Sequence, residues 1–150
     1  MKNVFNAQDV SEIIARINSL TPETRPLWGK MSVGQMLAHL CVSYDMVFDP
    51  AYPPNNAFKK FLLKMLVKNS VVGPKPYPKN SPTASEFIIK ETKDFTAEKA
   101  RLIAYIEKVQ KMGAAAFDGK ESRSFGPLTA NEWNMLFYKH LDHHLTQFGV

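Results

Sequence analysis

Between Gly73 and Ser85 the chain reads GPKPYPKNSPTAS, and its four prolines forbid a regular helix or a central strand there. The segment has to be an irregular crossover. Long crossovers in compact domains serve as lids or carry the chain across a bundle, and two parallel neighbouring helices need one. On both sides of it the sequence is patterned for helix, and strand signal is weak throughout, with Glu86 to Lys90 the best short candidate.

The spacing of Val10, Ile13, Ile14, Ile17 and Leu20 predicts a helix from about Ala7 to Ser19 with Asn6 as N-cap. Thr21-Pro22-Glu23 reads as a cap and a short turn. Ser32-Val33-Gly34-Gln35 is a capping box, which predicts a second helix from there to Asp45 or Phe48, with Val33, Met36, Leu37, Leu40 and Tyr44 inward and His39 at the edge of that stripe. Phe58, Phe61, Leu62, Met65 and Leu66 make a third amphipathic segment ending near Gly73, whose other face carries Lys59, Lys60, Lys64 and Lys68. Such a segment reads as a surface helix with snorkelling lysines, and, more sharply, as a helix that docks on a membrane or a partner. Ala100, Ile103, Ala104, Ile106 and Val109 predict a further helix from Thr96 to about Lys111, stopped by Gly113. Ala114 to Leu128 reads as a loop. Thr129-Ala130-Asn131-Glu132 is a second capping box, opening a last helix that runs almost to Val150.

A chain of 150 residues, 45% hydrophobic and 22% charged, fits one soluble globular domain over 1–150. No apolar run is long enough to span a bilayer, and the N-terminus lacks a secretory signal. A single cysteine, Cys41, cannot form an internal disulfide, so the expected compartment is the cytoplasm. The net charge of +5 comes without a groove-reading motif, so no specific nucleic acid is an expected partner. With the surface-helix reading of the third segment preferred, no membrane partner is expected either.

The last helix carries the chemistry. In EWNMLFYKHLDHHLTQFGV, Trp133, Phe137, Leu141, Leu145 and Phe148 define an apolar face. His140 and His144 lie within it, four residues apart and so one turn above the other. Two imidazoles at this spacing can reach one metal ion. A third ligand must come from another element, and His39 is the one histidine outside this helix. Unpaired imidazoles on an apolar face are costly to bury, which favours a metal role. Three imidazoles leave a position open for water or substrate, as catalytic zinc sites do. The competing pair is His140 with His143 at i+3, but His143 points to the flank, where it suits an acid/base role beside the metal. Asp142 points the opposite way, with Lys139 nearby on the outer surface. Gln147, Ser43 and Tyr44 are candidate neighbours of the site. Trp28 and Trp133 are core residues by default, either of which can also wall the pocket.

The placing of a histidine midway along WGKMSVGQMLAHL and an HxxxH pair in YKHLDHHLTQFG resembles the DinB/YfiT-like superfamily, in particular a branch described only as a domain of unknown function. The likeness spans essentially the whole chain. It implies an all-α, up-down-down-up four-helix bundle, a metal triad at His39, His140 and His144, and zinc or nickel as the ion. It also implies a homodimer, and a small-molecule substrate such as a low-molecular-weight thiol: bacillithiol, mycothiol or glutathione.

The expected function is a divalent-metal-dependent enzyme, either a thiol-dependent S-transferase or a hydrolase. The competing expectation is a non-catalytic module that binds a small ligand or dimerises. A structural metal site would need a fourth ligand such as Cys41. That residue follows His39 by two positions, about 200° around the helix, and reads instead as a small buried hydrophobe.

Overall fold

The computed structural model describes residues 1–150. Six α-helices dominate it: α1 (Ala7–Asn18), α2 (Val33–Phe48), α3 (Ala57–Leu66), α4 (Lys68–Val72), α5 (Phe95–Met112) and α6 (Ala130–Gln147). A two-stranded antiparallel ribbon, β1 (Glu121–Ser122) and β2 (Gly126–Pro127), lies between α5 and α6.

The helix starts are set by their caps. Asn6 and Asp94 accept from the backbone N–H three residues on, at 3.1 and 2.7 Å. Both expected capping boxes form. The Gln35 N–H donates to Ser32 Oγ (3.2 Å) while the Ser32 N–H donates to the Gln35 side chain (3.0 Å), and Thr129 and Glu132 repeat this at α6. Each cap contributes about 0.5–2 kcal/mol.

The helix directions follow from side-chain pairings. Val4 and Asn134 bond near the starts of α1 and α6, and Arg16 and Asp142 pair toward their ends, so α1 and α6 run parallel. Lys99, early in α5, donates to the carbonyls of Asn18, the last residue of α1, and Leu20 just beyond it, so these two helices are antiparallel. Asp45 meets Arg101 and Tyr105, while Phe48 meets Lys108, so α2 and α5 run parallel. The proline-rich segment sits within the long connection between them. In α2 nearly every residue from Val33 to Asp45 is buried, which makes it the central helix. Leu102, Ile106 and Val109 of α5 and Phe137, Leu141 and Leu145 of α6 share its core, and Ile13 and Ile17 of α1 join the same cluster, with α1 lying against α5. Tyr44 is sandwiched between Phe137 (centroids 4.6 Å apart) and Tyr105 (5.5 Å), and Trp133 and Phe117 extend the aromatic cluster. Burying each such side chain is worth about 1.5–3 kcal/mol.

Three expectations are corrected. Glu86–Lys90 is no strand: Ser85–Phe87 forms a single 3₁₀ turn, and the strands lie instead within the stretch read as a loop. The third amphipathic segment is two helices, broken at Val67. Its apolar stripe is turned to solvent: Phe58, Phe61, Met65 and Leu66 are between 58% and 77% exposed. Lys139 is not on the outer surface. It is buried, and its ammonium donates to the carbonyls of Ser70 (2.7 Å), Gly73 (2.8 Å) and Lys75 (3.0 Å). The cation thus sits at the C-terminal end of α4, where carbonyls present partial negative charge, and fastens the start of the crossover to α6. Burial lowers its pKa.

Candidate metal centre

The site forms where α2 and α6 cross antiparallel. His39 from α2 meets His140 and His144 from α6, and one ring nitrogen of each lies within 4.8 Å of the others. The ring centroids are 4.6–4.9 Å apart. Burial lowers the pKa of all three, most plainly for His144, which falls to about 3, so the rings are neutral at pH 7. A neutral imidazole has a free lone pair to offer a metal.

The outer nitrogen of each ring is held. His39 Nδ1 donates to the carbonyl of Phe87 (2.8 Å). His144 Nδ1 donates to Gln147 Oε1 (2.7 Å), and the amide orientation is fixed because Gln147 Nε2 donates to the Trp28 carbonyl (2.7 Å). His140 Nδ1 lies 3.4 Å from Ser43 Oγ, whose own proton is committed to the Leu40 carbonyl (2.7 Å). That oxygen is therefore an acceptor, and the His140 proton sits on Nδ1. In all three rings the proton is drawn outward and the Nε2 lone pair is left facing the other two. His39 Nε2 and His140 Nε2 are 2.9 Å apart. Two lone pairs at that distance repel, and a cation held between the three rings removes the conflict. The donor set therefore fits a divalent metal, with outer hydrogen bonds of the kind that orient metal-binding histidines.

Two close approaches position these partners. Gly34 lets the backbone at Lys93 lie against α2: a Cβ there would stand 2.6 Å from the Lys93 carbonyl oxygen. Gln35 Nε2, 3.2 Å from the Ile89 carbonyl, ties down the same stretch, and the Phe87 carbonyl arrives at His39 as a result. Gly29 has φ +82°, a conformation glycine adopts without strain, and a Cβ there would meet Gln147 Nε2 at 2.5 Å. The Leu27 N–H donates to the Gln147 carbonyl (2.7 Å), which completes the clamp on Trp28.

His143 stands outside the trio. It is half-buried, edge-on to Trp28 (5.9 Å) and to Tyr77 (5.7 Å), and burial lowers its pKa. It borders a cleft of about 210 Å³ also lined by Trp28, Tyr77, Lys79, Lys139, Asp142 and Thr146; Asp142, expected on the opposite side, shares this rim while pairing with Arg16. Lys79 Nζ lies 4.3 Å over the Trp28 ring, and burial pushes the Tyr77 hydroxyl up to about 12. A larger open depression of about 510 Å³ runs along α5 alone, away from the histidines.

Of the other sequence candidates, Gln147 and Ser43 do touch the ligand rings. Tyr44 does not line the pocket: it is core, among aromatics. Trp133 is core too, whereas Trp28 walls the cleft. Cys41 is buried and turned toward α5, with Sγ 3.9 Å from the Glu98 carbonyl, so it is no fourth ligand. The sequence reading missed the Phe87 carbonyl, which no side-chain pattern reveals, and Tyr77 and Lys79, which sit in the proline-rich stretch.

Helices crossing around three converging imidazoles, two of them buried and one partly so, define a helical protein with a candidate His₃ metal centre. The chain belongs to the family described as Protein of unknown function (DUF1569), whose model matches residues 2–149. No curated protein and no solved structure matches it.

Proposed function

We infer that His39, His140 and His144 hold one divalent metal ion, zinc or nickel, and that the protein is a metal-dependent enzyme acting on a small molecule. The observation that carries this is the pair of Nε2 lone pairs of His39 and His140 facing each other at 2.9 Å. The helix directions support a single up-down-down-up four-helix bundle of α1, α2, α5 and α6, as in the DinB/YfiT-like superfamily, with α3 and α4 added in the crossover.

When bound, the metal supplies a Lewis acid that favours the deprotonated form of a water or thiol. The protein's own groups do the rest. Gln147, Ser43 and the Phe87 carbonyl hold the ligand rings. Tyr77 lies edge-on to His140 and His143, and Trp28 edge-on to His143, so both flank the trio. His143, neutral and beside the cleft, accepts or delivers a proton at its ring. A thiol-dependent S-transfer or a hydrolysis fits this arrangement.

The test is elemental analysis of protein purified without chelator, beside His140→Ala. One equivalent of metal is expected in the wild type and none in the variant. Absence of stoichiometric metal after zinc, nickel and manganese supplementation overturns the reading. Metal-loaded protein is then assayed with low-molecular-weight thiols plus electrophiles, and with hydrolase substrates, where His143→Ala lowers turnover while metal content stays at one.

A further inference from the structure

The outward-facing stripe of α3 has a charge setting that selects its partner. Residues 50–85 contain six lysines and no acidic residue, whereas the rest of the chain, with thirteen basic and fourteen acidic side chains, nets −1. The whole positive excess of the protein is therefore in this segment. Within it, Phe58, Phe61, Leu62, Met65 and Leu66 follow i, i+3, i+4, i+7, i+8 spacing and form one stripe along α3. Four of the five are more than half exposed, and Leu62 is 39% exposed. The helix is seated by its opposite face, through Leu63, and Val67 just past its end, against the core, and through Lys60 paired with Glu121. Lys59 and Lys64 are exposed, and fall about 100° to one side of the stripe's centre and about 120° to the other. Contiguous apolar surface of this kind marks an interaction site. An apolar stripe with lysines on both flanks is the pattern of a helix that lies in a lipid interface.

We propose that α3 docks the protein on an anionic lipid surface, with its apolar stripe among the acyl chains and Lys59 and Lys64 at the headgroups. Charge decides between this and a second copy of the chain. A two-fold pairing of stripe on stripe would bring two lysine-rich, acid-free segments together, and like charges oppose that. An anionic bilayer meets the same charges with attraction. The helix lies on the surface and does not cross it, since no helix here is long and apolar enough to span a membrane. This reverses the expectation of no membrane partner. It is independent of the metal site.

The experiment is co-sedimentation of the full chain with vesicles of equimolar phosphatidylglycerol and phosphatidylcholine at low salt, beside vesicles of phosphatidylcholine alone. Binding is expected on the first, with little on the second and release at high salt. Phe61→Ser/Met65→Ser and Lys59→Glu/Lys64→Glu alter exposed positions and are expected to keep the wild-type thermal unfolding curve. Each should weaken vesicle binding by about tenfold or more. Met65→Trp adds a probe in the otherwise intact stripe, and its emission should shift blue on the anionic vesicles. Absence of binding to those vesicles, or equal binding by the wild type and both double variants, overturns the proposal. So does a solution dimer of the wild type that Phe61→Ser/Met65→Ser disperses, because a second copy then covers the stripe.

Discussion

The crossing of α2 and α6 has two ends, and they are built on opposite rules. At one end Tyr44 stacks on Phe137, with Trp133, Tyr105 and Phe117 around them. At the other, about one turn along each helix, His39 meets His140 and His144. The aromatic end is held chiefly by area and shape, with polar bonds only at its rim, from Tyr105 to Asp45 (2.7 Å) and from Trp133 Nε1 to the Lys120 carbonyl (3.3 Å). Even the Tyr44 hydroxyl is buried with no hydrogen-bond partner there, and burial pushes its pKa upward. The histidine end pairs every outer nitrogen, with a backbone carbonyl, a hydroxyl and an amide. A well-packed apolar cluster tolerates a stray polar atom, whereas a cluster of polar rings has to be specified atom by atom. The first end holds the helices together, and the second uses the rigidity so gained.

Substitutions at the two ends should separate these roles. The largest expected effect is from Phe137→Ala, which opens a cavity in the stack and should cost about 3–5 kcal/mol in denaturant unfolding. Metal stoichiometry of the folded fraction should stay at one; a loss there would mean that the two ends are one unit. His144→Ala should do the reverse, abolishing stoichiometric metal and weakening any residual affinity by more than about 100-fold, beyond what loss of an outer partner costs. Gln147→Ala removes only the outer partner of His144, and a competition titration should read about 10–100-fold weaker metal binding. The smallest effect is expected from Tyr44→Phe, which deletes the unpaired hydroxyl. Its unfolding free energy should stay within about 1 kcal/mol of wild type or rise, and a drop of several kcal/mol would mean the hydroxyl has a partner after all.

Much of the histidine end was legible because helical spacing is a strong constraint. A spacing of four residues puts His140 and His144 on one side of one helix, and His39 was the sole histidine left outside that helix to face them. Gln147, three residues beyond His144, was reachable by the same reasoning. The capping boxes at Ser32 and Thr129 marked both helix starts because the residues that satisfy free N–H groups are few. What periodicity does not contain is the identity of the neighbour. The α3 stripe is amphipathic in the sequence, yet amphipathicity does not say which face meets protein. Lys139 falls at an angle that would be solvent on an isolated helix, but α4 and the crossover lie over it. The apolar residues near Ile88 read as strand, while their use here is to carry a backbone carbonyl to His39, a role independent of side-chain type.

That carbonyl has a thermodynamic consequence. Phe87 is separated from His39 by 48 residues, and its hydrogen bond makes the end of the crossover part of the ring cluster. Whatever free energy the metal gains from a correctly turned His39, the strap from Phe87 to Lys93 gains from the metal, because linkage is reciprocal. Occupancy of the proposed metal centre and order of this strap would then rise and fall together, so the end of the crossover would report, by how tightly it is held, whether the centre behind it is filled.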